Sequence, residues 1–380
     1  MQQQTRRALL SAAASALVAP PAWAQANTRR NSGYERAIVI DALGGPGGSD
    51  GANQDPFAPL NAQDIADIRA SGLTALNLTI SSVGNDPSAF EQTIAAVAWC
   101  EREIGAHPDV LMQIRSAADL QTAKRTKRLG LIYGLQDTYL LGPSLDRVDM
   151  FAGLGLRISQ LTYNRRNLAG DGCLEPQNGG LSGFGRALVE AFNHHKILVD
   201  GAHGGEQTIL DGVAASSAPT AITHTGCRAL VDVPRNVNDN VLRAVADKGG
   251  VIGIYFMPFL RAHGQASAAD LIAHIEHALN VAGEDHVGLG TDGSISPQAT
   301  DAAALERQHH FVDERVRLGI AAPGEDRDVF NIVTEYNQPR KFERLANDLE
   351  ARGHAPRRVE KILGANFARL FAEVWGSGGG

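Results

Sequence analysis

Two histidines each close an apolar stretch of the chain. His203 ends segment 197–203, and His224 ends segment 219–224. One strand–helix–strand repeat with a short crossover fits between them, so both rings would lie at adjacent strand ends on one face of a barrel. Neutral imidazole is the commonest metal ligand in proteins, and two converging rings can hold Zn²⁺. The alternative is a pair of core histidines satisfied by hydrogen bonds.

A carboxylate follows a third apolar stretch in the same manner. Asp292 comes directly after segment 287–291 and directly before Gly293. At a strand end facing the two histidines, Asp292 would be placed to accept a proton from an attacking water as a general base. An aspartate beside a glycine is also a common turn or helix-capping residue, which is the structural alternative.

The elements that must position these side chains are buried parallel strands. Eight continuous apolar runs recur along the chain, as expected for strands covered by helices on both faces. They are 37–41, 73–80, 129–135, 156–161, 197–200, 218–223, 251–256 and 287–291. Segments with helical periodicity lie between them, including 90–103, 185–194, 240–248 and 268–282. Eight alternating units predict an α/β fold, a (β/α)8 TIM barrel.

Three further features complete the predicted architecture. Segment 43–59 is rich in Gly, Pro and Asp, and it would form a long loop at the end of the first strand, where barrel active sites are built. Segment 336–374 predicts two or three extra C-terminal helices. A doubly wound open sheet is the alternative, but no G-x-G-x-x-G turn follows the first strand. We expect the barrel to span 34–375 and the Gly-rich tail 376–380 to be disordered.

The N-terminal segment 1–25 has the layout of an export signal. Arg6 and Arg7 precede an apolar, Ala-rich run, and the small-residue pattern Ala22-Trp23-Ala24 follows it. Adjacent arginines favour the twin-arginine route. We therefore expect a periplasmic or secreted protein. The apolar run is too short for a stable membrane span.

Composition excludes some partners. The formal net charge is −7, which argues against binding to a nucleic-acid phosphate backbone. The three cysteines are too few and too scattered for a disulfide framework.

Taken together, the motifs resemble those of the membrane (renal-type) dipeptidases, which are metal-dependent, amidohydrolase-like barrels that hydrolyse dipeptides. The resemblance runs from about residue 38 to 374. Each motif is weak alone, but their order and spacing are specific. The matching segments are 161–164 with Asn167 and 171–173, 199–203, 223–224, 234–236 with Asp239, 249–253, 285–293, and 362–364 with Asn366.

The resemblance implies roles for particular residues. His203 and His224 fall on the histidines of the family's second metal. Asp292 falls on the aspartate that binds the first metal and handles the water proton. Arg235 falls on the arginine that grips the substrate's terminal carboxylate, which suits a guanidinium fork, and Asn236 beside it would also contact substrate. A surface arginine paired with Asp239 is the alternative for Arg235.

The chain departs from the family where the first metal should be bound. Leu43 and Gly45 stand in place of a His-x-Asp ligand pair, and Gln136 replaces the glutamate that bridges both metals. Tyr163 replaces a substrate-facing histidine, and its phenol can still donate to a developing oxyanion. We therefore expect one divalent ion, Zn²⁺, rather than two.

In that arrangement His203 and His224 hold the ion, with the Gln136 carbonyl as a third ligand. Asp292, aided by Asp41, is what remains of the first site.

The implied function is an exported dipeptidase acting on dipeptides or related small amides, and a homodimer is consistent with the family. One alternative is a catalytically impaired member that binds a small peptide or amino-acid derivative. Another is hydrolysis of a different amide or lactone, with Asp50 and Asp55 as new ligands.

Overall fold

A parallel sheet forms the centre of the computed structural model, which describes residues 31–47 and 57–376. Eight strands follow one another in the order β1-β3-β5-β6-β7-β8-β9-β10, and each adjacent pair is parallel. The strands are β1 (Ile40–Asp41), β2 (Gly44–Gly45), β3 (Ala75–Thr79), β4 (Leu111–Gln113), β5 (Leu129–Leu135), β6 (Leu156–Gln160), β7 (Leu198–Asp200), β8 (Ala221–Thr225), β9 (Val251–Ile254), β10 (Val287–Leu289) and β11 (Gly293–Ser294).

The first and last strands of this order meet and close the barrel. The Ala42 N–H donates to the carbonyl of Leu289 at 2.9 Å, and the Asp292 N–H donates to the carbonyl of Leu43 at 2.8 Å. Beyond this contact, the short strands β2 and β11 pair in parallel and extend the same seam. The result is the predicted (β/α)8 barrel, with β1 joined to β10.

All eight predicted strands are present, and three short ones were not predicted. The strand β4 pairs with the first residues of β5, from Leu129 to Leu131, where β6 has not yet begun to pair. It has only three residues, of which Gln113 is polar, so it lacks the long apolar run that marks the others. The strands β2 and β11 consist of Gly and Ser, which carry no strand signal.

Helices cover the outside of the sheet, as the alternating pattern predicts. Helix 268–282 was predicted from its periodicity with the bounds it has, and in the structure a capping box of Ser267 and Asp270 begins it and Gly283 ends it. The helices are α1 (Ser32–Arg36), α2 (Ala62–Ser71), α3 (Ala89–Ala106), α4 (Ala117–Thr126), α5 (Asp146–Leu154), α6 (Gly183–His194), α7 (Glu206–Ala215), α8 (Asp239–Asp247), α9 (Ala268–Ala282), α10 (Ala302–Arg317), α11 (Lys341–Ala351), α12 (Pro356–Glu360) and α13 (Asn366–Trp375).

The extra C-terminal helices close the amino end of the barrel. Phe367 and Phe371 of α13 are fully buried and pack in one cluster with Ile40 and other barrel-strand residues. Gly364, just before α13, lies against β1, and a Cβ there would be 2.5 Å from the carbonyl oxygen of Ile38. Since the amino end is filled by these aromatic side chains, the open mouth lies at the carboxyl ends of the strands.

Several predictions fall outside the described residues. They concern the segment 1–25, most of the tail 376–380, and the central part of the first loop with Asp50 and Asp55. Among the helices that the structure does describe, none is long and apolar enough to cross a membrane.

Candidate metal centre

The two predicted histidines meet at the carboxyl ends of neighbouring strands. His224 lies within β8, and His203 follows β7. Their ring centroids are 5.0 Å apart, with 61° between the ring planes. His203 is 4% exposed and His224 is fully buried. The spacing in the sequence therefore predicted a real convergence of imidazoles.

A hydrogen-bonded chain fixes which nitrogen of His224 carries the proton. The Thr223 hydroxyl donates to Asp200 Oδ2 at 2.5 Å, and the same Thr223 oxygen lies 2.9 Å from His224 Nδ1. Burial raises the pKa of Asp200 to about 6, so at neutral pH this carboxylate is ionised and can only accept. The single hydroxyl proton is thus given to Asp200. Nδ1 of His224 must then donate, and Nε2 keeps its lone pair.

The side-chain amide of Asn164 fixes which nitrogen of His203 carries the proton. Asn164 Nδ2 donates to the carbonyl of Ile320 at 2.7 Å, which leaves Asn164 Oδ1 facing His203 Nδ1 at 2.6 Å. Because Oδ1 can only accept, Nδ1 of His203 carries the proton and Nε2 is again the free lone pair. In the described residues, neither Nε2 atom has a hydrogen-bond partner, although both are buried.

Two buried lone pairs that face no donor are a fit for a divalent cation. Burial, followed by the nearby charge of Arg235, holds the pKa of both histidines well below the usual range, so both rings are neutral. Neutral imidazoles whose other nitrogen donates to a fixed acceptor are the usual form of a metal-ligating histidine. Within the described ranges, no third His, Cys, Asp or Glu joins them to complete a ligand set.

Asp292, which follows the carboxyl end of β10, has a strained backbone conformation. Its φ is 54°, and that of His203 is 63°. In the described part of the chain, only three other non-glycine residues have positive φ, namely Lys127, Asn178 and Lys196. Such strain persists where the surroundings hold a side chain in one direction, and it concentrates at functional sites. Burial raises the pKa of Asp292 to about 6, against the opposing charges of Arg235 and Arg315.

One arrangement of hydrogen bonds occurs twice in the barrel, once directly before His224 and once directly before Asp292. Asp200 Oδ1 accepts from the N–H groups of Ala202 and Thr223, at 3.0 and 2.9 Å, and its Oδ2 accepts from the Thr223 hydroxyl. Asp200 and Thr223 thereby lock the backbone that carries His224. We call each such Asp–Thr pair a strand-end clamp.

The second strand-end clamp joins β1 to the segment after β10. Asp41 Oδ1 accepts from the N–H groups of Leu43 and Thr291, at 3.3 and 2.7 Å, and its Oδ2 accepts from the Thr291 hydroxyl at 2.6 Å. The residue after Thr291 is Asp292, just as the residue after Thr223 is His224. Asp41 is thus engaged in positioning, which corrects the expectation that it aids a metal directly.

Arg235 is a buried guanidinium without a carboxylate partner among the described residues. It is 3% exposed, its Nη2 makes no hydrogen bond there, and its Cζ lies 5.6 Å from the ring centroid of Tyr255. Asp239, the alternative partner, instead lies 2.7 Å from His277 and 3.7 Å from Arg243. The charge of Arg235 acts on His203, His224 and Asp292, so Arg235 lies near all three.

Tyr163 lies directly on His203. The two rings stack with centroids 4.1 Å apart, and Tyr163 is 6% exposed. Burial raises the pKa of its phenol to about 12, so the group stays protonated and can donate. Arg315 of α10 lies beside it, with its Cζ 5.7 Å from the ring centroid, and Glu325 binds Arg315 through two contacts of 2.5 and 2.8 Å.

Two predicted site residues make hydrogen bonds outside the pair of imidazoles. Asn236 donates to the carbonyls of Val231 and Phe259 and accepts from the Tyr255 hydroxyl, so both of its amide donors are used to hold a buried loop. Its role as a substrate contact stays a prediction. The Gln136 Nε2 donates to Thr79 Oγ1 at 2.7 Å, and no hydrogen bond joins Gln136 to either imidazole. Its role as a third ligand stays a prediction.

A parallel barrel whose mouth combines two neutral imidazoles, a carboxylate and a buried guanidinium defines the class of metal-dependent barrel hydrolases. The sequence pattern of the membrane dipeptidases, peptidase family M19, matches residues 55–306. The chain belongs to this family, and it is a metallodipeptidase-like hydrolase. Because family members are metallopeptidases, membership implies a divalent metal.

Individual relatives agree with this assignment. An amidohydrolase from Pseudomonas aeruginosa is 31% identical, with a TM-score of 0.77 over 90% of this chain and 98% of that one. The dipeptidase tcpJ of Claviceps purpurea is 27% identical over 76% of this chain, and the match spans 61% of that relative's length. A metallopeptidase from Rhodobacter sphaeroides, solved with a phosphinate mimic of L-Ala-D-Ala, shares the fold at 20% identity, with a TM-score of 0.71 over 89% of this chain and all of that one.

Four residues that shape the site were not assigned roles from the sequence. Asn164 and Asp200 lie within motifs that resemble the family, but nothing in a sequence shows which imidazole nitrogen they control. Threonine is common in strands, so its residue type did not single out Thr223. Arg315 comes from α10, far along the chain from the strands, and only the folded arrangement brings it to Tyr163.

Proposed function

We propose that this protein is a metal-dependent dipeptidase that cleaves the amide bond of dipeptides or related small amides with one bound Zn²⁺. The observation that carries the proposal is the pair of buried, unpartnered Nε2 atoms on His203 and His224. Nitrogen ligands of this kind suit zinc. The changes at Leu43, Gly45 and Gln136 remove three side chains that a second ion would need, which supports one ion rather than two.

Each group at the mouth has a distinct part in the chemistry. His203 and His224 would hold the ion, which when bound supplies Lewis-acid polarisation and makes water a stronger acid. Asp292 accepts the proton of the attacking water and later returns it to the leaving amine. Tyr163 donates its phenolic proton in a hydrogen bond to the oxyanion that develops on the substrate carbonyl. Arg235 binds the terminal carboxylate and so orients the scissile bond.

Metal analysis combined with turnover tests this function. Protein purified without a histidine tag should carry close to one equivalent of metal and cleave dipeptides. A catalytically impaired member that only binds a small peptide is the second candidate, because the substituted ligand positions favour it. Metal-free protein that binds a dipeptide but does not cleave it after addition of Zn²⁺, Mn²⁺ or Co²⁺ would establish that second function instead.

Replacing Arg235 with alanine should mainly raise KM for substrates with a free C-terminal carboxylate. A charge-assisted, two-point hydrogen bond is lost, which corresponds to roughly ten- to a hundredfold in KM. Steady-state kinetics on a dipeptide and on its C-terminal amide would measure this difference. The amide is the control, since it lacks the group that Arg235 binds. An equal loss on both substrates would contradict the role as a carboxylate clamp.

Replacing Thr223 with valine should weaken metal binding by about ten- to a hundredfold, as for other groups that orient a metal-ligating histidine. Valine keeps the shape but removes the oxygen that accepts the His224 Nδ1 proton. Competition with a chelating dye would measure metal affinity. Thr291→Val is the matched control, because it disrupts the other strand-end clamp, where no imidazole depends on the hydroxyl. Equal losses of metal affinity in both variants would point to general loosening of the barrel.

We also propose that the chain is exported to the periplasm or secreted, and that it forms a homodimer. The export proposal is supported by the arginine pair and the small-residue pattern in segment 1–25. The homodimer is supported only by the family resemblance. Fusing residues 1–26 to a reporter should direct that reporter out of the cytoplasm, and a reporter that stays inside would reject the proposal of export.

A further inference from the structure

We propose that a second cavity, beside the metal centre, binds a small organic carboxylate with an apolar body. The cavity has a volume of about 310 Å³ and lies between the segment after β10, helix α10 and the start of α11. Lys341 and Arg307 both line it, and we call it the lysine pocket. No carboxylate lines it among the residues that the structure describes, so the charged groups on its walls are both cationic.

Lys341 is a buried ammonium with unused donors. It is 8% exposed, and in the described part of the chain its Nζ donates to one acceptor, the carbonyl oxygen of Ser294. An ammonium has three N–H donors, and a buried donor without an acceptor is unfavourable. No carboxylate in the described ranges lies within ion-pair distance of Lys341, so the lysine pocket offers a charged donor rather than a neutralised one.

Two carboxylates influence Lys341 from behind the wall of the lysine pocket. Burial lowers the pKa of Lys341 to about 8, and the charges of Asp41 and Asp67 oppose this shift, so the ammonium form still predominates at pH 7. Their hydrogen bonds are directed elsewhere. Asp41 accepts from Thr291 and Leu43, and Asp67 accepts from Gln63 at 2.9 Å. They therefore balance part of the charge at a distance and leave the remaining N–H groups to a ligand.

Arg307 supplies the second cation. It is half-buried, and within the described residues no hydrogen bond or ion pair engages its guanidinium. This is unusual on a helix that is rich in paired charges, since Arg315 and Arg317 of the same helix both bind glutamates. A guanidinium fork matches the two oxygens of a carboxylate, and an ammonium nearby adds a point charge.

The remaining walls favour an organic anion over a free inorganic one. Phe256, Phe311, Tyr336 and Val333 give the lysine pocket an apolar and largely aromatic side, and Asn331 and Gln298 provide neutral amides. Burying an aromatic or aliphatic group against such walls is favourable, whereas inorganic phosphate has no apolar surface to pack against them. A carboxylate attached to an apolar group of modest size satisfies both the cations and the walls.

The lysine pocket is separate from the metal centre but shares a residue with its framework. Thr291 lines the lysine pocket, donates to Asp41 in the second strand-end clamp, and directly precedes Asp292. The lining residues include neither histidine of the metal centre, and Arg235 is also absent from them. Binding in the lysine pocket is thus expected to survive the loss of Arg235, the residue proposed to bind the substrate's terminal carboxylate.

Direct binding of a defined probe tests this inference. We expect 3-phenylpropanoate to bind saturably with one-to-one stoichiometry by ligand-observed NMR, and its neutral analogue 3-phenylpropanamide to bind at least about tenfold more weakly. Arg307→Gln and Lys341→Met should each weaken the carboxylate by about tenfold or more. Lys248→Met is the matched control, because Lys248 also donates to backbone carbonyls but lies outside the lysine pocket.

Arg235→Ala separates this site from the metal centre. The probe should bind this variant as it binds the wild type. Loss of binding in Arg235→Ala, with retention in Arg307→Gln, would place the probe at the metal centre and overturn the inference. Absence of saturable binding to the wild type at millimolar concentrations would overturn it as well. Because Arg307 has no structural partner among the described residues, Arg307→Gln gives a clear result even if Lys341→Met fails to fold.

Discussion

Changing either His203 or His224 to alanine is expected to remove the bound metal and to lower kcat/KM by roughly a thousandfold or more. The ion supplies several kcal/mol of transition-state stabilisation, and each 1.36 kcal/mol corresponds to about a factor of ten in rate. The two variants should behave alike, because each leaves a single imidazole, and one nitrogen ligand does not hold zinc against water. Metal content per folded protein and dipeptide turnover are the two measurements.

A buried histidine elsewhere in the barrel provides the control. His274 is 1% exposed, its Nδ1 accepts from the Cys227 N–H at 2.9 Å, and its Nε2 lies 3.1 Å from the carbonyl of Leu260. Since both of its nitrogens are satisfied by the protein, His274→Ala should lower stability but leave the metal content of the folded fraction unchanged. Full metal content and turnover in both His203→Ala and His224→Ala would reject this metal centre altogether.

Changing Asp292 to asparagine should lower kcat by about a hundred- to ten-thousandfold, the usual contribution of a positioned general base. Asparagine tolerates the left-handed backbone that this position requires, so the fold should be retained. The variant should still carry metal, because His203 and His224 are unchanged. Turnover close to that of the wild type in metal-loaded protein would show that another group takes the proton.

The pH profile distinguishes this role from a packing role. Burial raises the pKa of Asp292 to about 6, so wild-type activity should fall as the pH decreases through about 6, when the base becomes protonated. That limb of the profile should disappear in Asp292→Asn. Asp137→Asn is the matched control, because burial also raises the pKa of Asp137 to about 6, while hydrogen bonds from Gly84, Tyr139 and Asn167 already engage its carboxylate.

Stability should respond in the opposite direction to activity. Because the folded-state pKa of Asp292 lies above that of the unfolded chain, the ionised carboxylate is disfavoured in the fold. The protonated Asp292 carboxyl therefore contributes fully to the stability of the fold below the pKa of the unfolded chain. This contribution is lost as the pH rises through about 6. Metal-free Asp292→Asn is therefore expected to be at least as stable as the wild type at pH 7, which thermal unfolding would measure.

The barrel was predictable because its strands carry a strong signal. Parallel strands buried on both faces read as continuous apolar runs, and the eight runs found in the sequence are the eight strands of the closed sheet. The convergence of His203 and His224 followed from their equivalent places after neighbouring strands. Short pairings such as β2 with β11 were missed, since two glycines next to a seam look like any loop.

The chemistry of individual side chains was less predictable than their positions. Asn236 belongs to a family motif, yet its three hydrogen bonds depend on Val231, Phe259 and Tyr255, which only the folded loop brings together. The proton positions on the two imidazoles depend on Asn164 and Thr223 in the same way. Sequence patterns locate a residue on a strand end, but its free lone pairs depend on three-dimensional partners.

The repeated strand-end clamp has a consequence for how this chain could change over evolutionary time. At the half of the mouth where the family resemblance places ligands at positions 43 and 45, Asp41 and Thr291 hold the backbone in the same form that Asp200 and Thr223 give it around His224. Gly45 has open space for a Cβ among the described residues. This backbone arrangement therefore does not depend on metal ligands at positions 43 and 45, and we expect the double substitution Leu43→His and Gly45→Asp to add two ligands there without rebuilding the barrel.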